Sequence, residues 1–199
     1  PYLTEKDKYS AFLDGTHDML FIIDGKAADR GESRPRLLLA RDSFANSMVP
    51  FLARHFDICM VNLTGGMTNL TALCEEYGCQ RVLVEYNGMW MLDSLYMNMP
   101  PRWAVYQEFM FADGRSFLNY NNNMRQLVYD KLKSAELCVF NRFDHGKMDK
   151  MEYHKIVRAI SRKCDIAYED VNGKVIYDDI EDPLPFDVNA PIIEIGEDD

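Results

Sequence analysis

The sequence predicts an α/β protein: a three-layer sandwich around a mainly parallel, doubly wound sheet. Three observations predict it. Short apolar runs rich in Val, Ile and Leu recur along the chain. Stretches with apolar residues at helical spacing separate them. Each apolar run stops abruptly at polar residues, as a strand covered on both faces stops at its functional end.

The elements follow in order. Residues 24–35 are polar and punctuated by Gly and Pro, so they read as a loop before the first clear strand. Arg36 to Ala40 is that strand. Ala45 to His55 places Met48, Phe51 and Leu52 on one face and predicts a helix. Ile58 to Leu63 is a strand, Asn69 to Tyr77 a short helix, and Arg81 to Tyr86 a strand. Trp90 to Tyr96 is helical and stops before Pro100-Pro101. Trp103 to Phe111 is a strand. Ser116 to Ala135 is the longest helix, with Phe117, Tyr120, Met124, Leu127, Val128 and Leu132 at helical spacing. Leu137 to Phe140 is a strand and Lys150 to Ser161 a helix that turns Tyr153, Ile156, Val157 and Ile160 inward. Ile166 to Tyr168 and Lys174 to Tyr177 form an extended pair around the Asn172-Gly173 turn. The strands at 37–40, 58–63, 82–86 and 137–140 are expected to share one sheet.

A chain of 199 residues is long enough for one domain or one and a half. The net charge of −10 is unevenly spread: residues 1–164 sum to +1 and residues 165–199 to −11. The acidity belongs to a C-terminal tail, where Phe186 and the isoleucines are expected to dock on the body while the last residues stay solvated. An acidic tail with no basic stripe argues against nucleic acid as a partner. No apolar run approaches the ~20 residues that span a bilayer, so no membrane partner is expected. Five scattered cysteines without a Cys-x-x-Cys pair suit a reducing cytoplasm and support no zinc site.

Two strand ends carry the chemistry. Leu137 to Phe140 runs into Asn141-Arg142-Phe143-Asp144. An Asp after a buried strand can accept from two N–H groups of a base edge, an Asn can complete that edge, and a long cation can lie over the ring. Arg81 to Val84 runs into Glu85-Tyr-Asn-Gly88. The plainer reading of both is a strand end followed by a turn. No Gly-x-x-x-x-Gly-Lys-Ser/Thr occurs in the chain.

From about residue 80 onward the chain resembles the CobW-type GTPases, a metallochaperone group of P-loop proteins. The carrying residues are Arg81 to Trp90, Tyr106 to Asp113, Asn123 to Leu127, Lys131 to Leu137, Asn141 to Asp144 and Glu181 to Asp187. The resemblance implies that Glu85 and Gly88 match the Glu-x-x-Gly element, with Glu85 as a catalytic candidate. It implies that Asn141, Arg142 and Asp144 read guanine. It implies GTP as ligand, with Mg2+ only where nucleotide binds. The Walker A loop, the first strand-helix unit and the Cys-x-Cys-Cys metal motif of that family are absent from this chain, so GTP hydrolysis is not expected of it.

Residues 1–80 resemble another family, the C-terminal part of the DHHW proteins, which are SGNH-hydrolase-like. Tyr2 to Ser10, Phe12 to Gly15 and Arg41 to Leu52 carry that likeness. It implies Ser43 as a nucleophile at a strand-to-helix turn, where backbone N–H groups could hold an oxyanion. An ordinary helix N-cap explains Asp42-Ser43 as well. Asp14 and His17 are the nearest acid-base partners, and His55 reads as a helix-end cation. The chain therefore reads as a chimera or fragment: a DHHW-like segment over 1–80, and a CobW-like segment over 81–199. The rival functions are an SGNH-type esterase or O-acetyltransferase and a non-catalytic scaffold. Gly65-Gly66 reads as a loop, His145 and His154 as no metal pair, and the methionines around Trp90 and Trp103 as packing.

Overall fold

The computed structural model describes Leu13 and residues 17–42, 44–63 and 69–180. The chain divides into two compact units. The first comprises Pro1–Trp90 with Tyr96–Arg102, the second Met91–Leu95 with Trp103–Asp199.

The first unit holds β1 (Met19–Ile22), α1 (Gly25–Asp29), β2 (Arg36–Arg41), a 3-10 turn at Ala45–Ser47, α2 (Val49–Leu52), β3 (Asp57–Asn62), α3 (Leu70–Tyr77) and β4 (Arg81–Val84). Its sheet order is β1-β3-β2-β4. β2 runs parallel to both β3 and β4, and β1 lies antiparallel on β3. Leu38, Leu39 and Ala40 of the central strand have no exposed surface. Alternate residues feed two clusters. Leu39, Ile58 and Met60 pack with Ala45 and Val49, whereas Leu38, Ala40, Cys59 and Val61 pack with Leu70, Leu73 and Cys74.

Local chemistry sets the element ends. The Asp24 carboxylate accepts from the N–H groups of Lys26 and Ala27 and starts α1 inside the stretch read as a loop. Asn69 caps α3, and Gly78 ends it at φ 61°. The helix expected over 45–55 is shorter than its pattern. Pro50 sits in the first turn of α2 and cannot donate backward, so the residues before it form a 3-10 turn. β1 escapes a reading by pattern because Met-Leu-Phe-Ile is apolar throughout and shows no alternation.

α4 (Leu92–Asn98) is divided between the two units. The second unit then holds β5 (Phe109–Asp113), α5 (Gly114–Asn123), α6 (Arg125–Leu132), β6 (Leu137–Asn141), α7 (Lys150–Ile160), β7 (Asp165–Glu169) and β8 (Val175–Tyr177). Its sheet order is β5-β6-β7-β8. The first three strands are parallel and β8 pairs antiparallel with β7, as the Asn172-Gly173 turn predicts. One core lies under the helices. Phe117, Val128, Leu132, Tyr153 and Val157 pack on Met110, Cys138, Phe140, Ile166 and Tyr168. Phe140 meets Phe117 and Tyr153 edge to face, with ring centres 4.7 and 5.0 Å apart.

Three expectations are corrected here. The strands do not form one shared sheet: β4 closes one sheet and β5 opens another. The stretch between them supplies a helix and irregular chain but no strand, and β5 begins only at Phe109 instead of Trp103. The long helix over 116–135 is two helices. Met124 breaks it at φ −129° and ψ 39°, directly after Asn121-Asn122-Asn123, whose side chains compete for backbone groups. Asn123 shows this competition by donating to the Asn119 carbonyl at 2.8 Å. No helix among the described residues is long and apolar enough to cross a membrane.

Candidate functional site

The second unit brings two loops together at the carboxyl ends of β6 and β7. β6 ends at Asn141, and Arg142 turns the chain with φ 53°. Phe143 is buried, and its N–H donates to the Glu169 carbonyl at 2.8 Å, which pins this loop to the end of β7. Its ring lies 4.7 Å from that of Tyr168 and 5.1 Å from that of Tyr153. A buried aromatic on each side of the turn thus fixes where Asp144 stands.

Asp144 accepts the Gly146 N–H at 3.0 Å with Oδ1 and meets Lys147 Nζ at 3.2 Å with Oδ2. The Lys147 contact, then the Gly146 N–H, hold its pKa below the ordinary 3.8. The carboxylate is therefore ionised at neutral pH. On the opposite loop, Asp170 accepts the N–H groups of Asn172 at 2.8 Å and Lys174 at 3.0 Å. Those backbone donors lower its pKa as well. Gly173, at φ 80°, lets this turn close.

Between the loops lies an open cavity of about 400 Å³, lined by Arg115, Phe143, Asp144, His145, Asp170 and Asn172 among others. It offers an anionic acceptor, a guanidinium, an amide and the edge of an aromatic ring. Such a mixture suits a planar heterocycle with both donors and acceptors on its rim.

Only part of the Asn-Arg-x-Asp reading meets at this cavity. Asp144 lines it. Arg142 pairs instead with Asp113, Nη2 to Oδ2 at 2.8 Å, and does not lie on its lining. Asn141 Oδ1 is buried without a hydrogen-bond partner. The cation at the cavity is Arg115, which sequence reasoning missed. Its signal was present: Asp113 at the end of β5 caps α5 by accepting the Arg115 N–H at 3.0 Å, so Arg115 had to stand at this end of the sheet. Gly114 between them is needed for fit. A Cβ there would lie 3.1 Å from the Asn141 carbonyl oxygen and 3.3 Å from Phe143 Cδ2.

Glu85 and Gly88 lie in the first unit. Glu85 follows β4 and gathers the turn after β2. Its carboxylate accepts from the N–H groups of Asp42 at 2.9 Å, Ala45 at 2.9 Å and Phe44 at 3.1 Å. Asn87 Nδ2 donates to Asp42 Oδ2 at 2.9 Å across the same crevice. A Cβ at Gly88 would meet nothing within 4 Å, so close approach does not require a glycine there. These three N–H groups of the turn after β2 are therefore bound to Glu85. Ser43, Asp14 and Gly65-Gly66 lie outside the described residues, as does the tail from Glu181 to Asp199. The His17 ring nitrogen Nε2 lies 2.8 Å from the Leu13 carbonyl. Asn46 is buried, with neither amide atom hydrogen-bonded.

No group of three or more His, Cys, Asp or Glu among the described residues could hold a metal ion. His154 is buried and meets Asp178, Nδ1 to Oδ2 at 2.6 Å, while His145 is exposed beside Phe143. Burial pushes the Cys59 and Cys164 thiols up to about 11, so both are poor nucleophiles and poor ligands at neutral pH.

No protein-family model, no curated protein and no solved structure matches this chain.

Proposed function

We propose that the second unit binds the base of a guanine nucleotide, as a truncated or degenerate relative of the CobW-type GTPases that does not turn GTP over. One observation carries the reading: an ionised Asp144 faces a cavity of about 400 Å³ between the loops that follow two parallel strands. Ligands of open α/β sheets collect at that end. A guanine edge offers two adjacent N–H groups, and a carboxylate accepts both. Asn172 and Arg115 stand where further rim contacts form. The chain has no Walker A loop, so it lacks the backbone cradle and the Lys that hold β- and γ-phosphates. Binding without turnover follows, and no step is routed through Mg2+.

The first unit reads as a doubly wound, three-layer arrangement, because α2 and α3 contribute to separate clusters fed by alternate strand residues. Five free cysteines fit a reducing cytoplasm. The esterase is the second reading, and the Asp42, Phe44 and Ala45 N–H groups beside its Ser43 donate to Glu85.

The test is a titration with a fluorescent GDP analogue, followed by competition with nucleosides. Guanosine should displace the probe, inosine less well because it lacks the 2-amino donor, and adenosine hardly at all. Asp144→Ala should weaken binding by about tenfold or more, the worth of a charge-assisted hydrogen bond. Equal competition by adenosine, or unchanged affinity in Asp144→Ala, refutes the proposal.

A further inference from the structure

Three of the free cysteines belong to one apolar cluster of the first unit. Cys59 lies on β3 and is only 3% exposed. Cys74 near the end of α3 and Cys79 just after it are half-buried, and both pack against the cluster that contains Cys59. Reagents in water therefore reach Cys74 and Cys79 but not Cys59.

The end of α3 sets the spacing of that pair. Gly78 turns the chain at φ 61°, and the N–H groups of Gly78 and Cys79 both donate to the Cys74 carbonyl, the second at 2.9 Å. A helix closed in this way brings the residue after the glycine against the one five positions before it. Two residues joined by a backbone N–H···O bond have Cα atoms near the ~4.4–6.8 Å that a disulfide spans. The start of β2 holds the turn in place. Arg36 Nη1 donates to the Tyr77 carbonyl at 2.7 Å, the Arg36 N–H donates to Gln80 Oε1 at 3.0 Å, and the Gln80 N–H donates to the Arg36 carbonyl at 3.2 Å. Partial burial raises the Cys79 thiol, and the Arg36 guanidinium works against that rise. Burial, then Cys79 and Glu75, all raise Cys74. Cys79 is thus the sulfur that reacts first.

We propose that Cys74 and Cys79 form a thiol–disulfide site, which a low-molecular-weight disulfide such as oxidised glutathione converts to an intramolecular bridge. The Cys79 thiolate attacks one sulfur of the small disulfide, forms a mixed disulfide and expels the other half as a thiolate. Cys74 gives its proton to solvent, attacks the Cys79 sulfur and expels the second half. Two protein thiols are oxidised, and one small disulfide is reduced to two thiols. The bridge ties the last turn of α3 to the residue that leads into β4. The inference is independent of the nucleotide reading, which concerns the other unit.

The whole chain, equilibrated in buffers of reduced and oxidised glutathione and trapped by alkylation in denaturant, tests it. Proteolysis after Glu75 and Glu76 separates the two cysteines, so the bridge appears as two peptides that part only on reduction. Mass spectra should place it between Cys74 and Cys79, with Cys59 alkylated. Cys74→Ser should lose the bridge and keep glutathione on Cys79. Equilibration in urea should lower the effective concentration of the pair by about tenfold or more, because the fold no longer holds the two sulfurs together. Both thiols alkylated at every glutathione ratio, a bridge to Cys59 or to a second copy, no glutathione on Cys79 in Cys74→Ser, or equal effective concentrations in the folded and unfolded chain would each overturn the proposal.

Discussion

Helices pack on both faces of the first unit's sheet, whereas the helices of the second unit pack on one face of theirs. In β2, Leu38 and Leu39 point to opposite faces and both are fully buried. In the second sheet, Phe140 is fully buried while Phe111 on the opposite face is 68% exposed. Connection order explains the difference. Parallel crossovers are right-handed. In the first unit, β2 leads to β3 on one side, and the next crossover returns past β2 to β4 on the other. Reversing direction sends α2 and α3 to opposite faces. In the second unit β5, β6 and β7 advance one way, so α5, α6 and α7 share a face, and on the other the edge strands expose Phe109, Phe111 and Tyr177. Two sheets of similar strand content thus acquire different surfaces from strand order alone.

The largest expected effect tests whether each core stands for its own unit. Leu39 and Val157 are each fully buried, one in each unit. Leu39→Asp buries an unpaired ion at a cost of several kcal/mol, a large part of the ~5–15 kcal/mol that stabilises a domain. Hydrogen exchange read by mass spectrometry should show protection lost in β2, β3 and β4 but kept in β6 and α7. Val157→Asp should do the converse. If either substitution strips protection from both units, the comparison between two separate cores fails.

Asp130 sharpens the contrast within the second unit. It is buried, accepts the Leu92 N–H at 2.8 Å with Oδ2, and lies 3.2 Å from the ammonium groups of Lys131 and Lys133. Burial works to raise its pKa, but the Leu92 N–H and the two lysines outweigh that and leave it lowered. Asp130→Ala should destabilise the second unit by about 3 kcal/mol in denaturant melts, as breaking a buried pair does. A lowered folded pKa means the contribution is fully present above the ordinary 3.8 and is lost as pH falls through the lower value. The gap between wild type and variant should therefore close in acid. A gap that widened there would contradict this account of the carboxylate.

Glu85→Ala carries the next effect and falls in the first unit. It strands three N–H groups of the turn after β2, at a cost of about 2 kcal/mol for lost hydrogen bonds to a charged acceptor. Glu85→Gln keeps the reach with a weaker acceptor and should fall between the two. Chemical denaturation followed at the first unit reads both. If Glu85→Ala leaves stability unchanged, the carboxylate does not hold this turn.

Much of this fold was legible because period and termination were clear. β2, β3, β6 and α7 stand within a residue or so of their expected bounds, since apolar runs and capping residues such as Asp149 mark them. What escaped had weaker local signals. β1 has no alternation, and the α5–α6 break rests on three asparagines inside an otherwise helical pattern. The separation into two sheets escaped because sequence shows strands but not their hydrogen-bonded neighbours. The place of Asp144 on the cavity could be read from the strand end. Arg115 could not be read from the tetrapeptide, because its place comes from the packing of β5 beside β6.

The smallest effect compares two glycines with the same backbone requirement. Gly78 ends α3 at φ 61° and Gly173 sits in the β7–β8 turn at φ 80°. A Cβ at Gly78 would lie 3.5 Å from Arg36 Nη1, and one at Gly173 would lie 3.9 Å from Glu169 Oε1. Neither meets a clash, so alanine at either position should cost only its conformational penalty, about 1 kcal/mol. Function should separate them. Gly173 closes the turn that presents Asp170 and Asn172 to the cavity, while Gly78 belongs to the unit without it. Gly173→Ala should therefore weaken binding of the fluorescent GDP analogue, and Gly78→Ala should leave it unchanged at matched stability. If Gly173→Ala loses stability but binds as well as wild type, the 170–172 loop does not form one wall of the proposed base site, and the proposal is left with Asp144 and the α5 side alone.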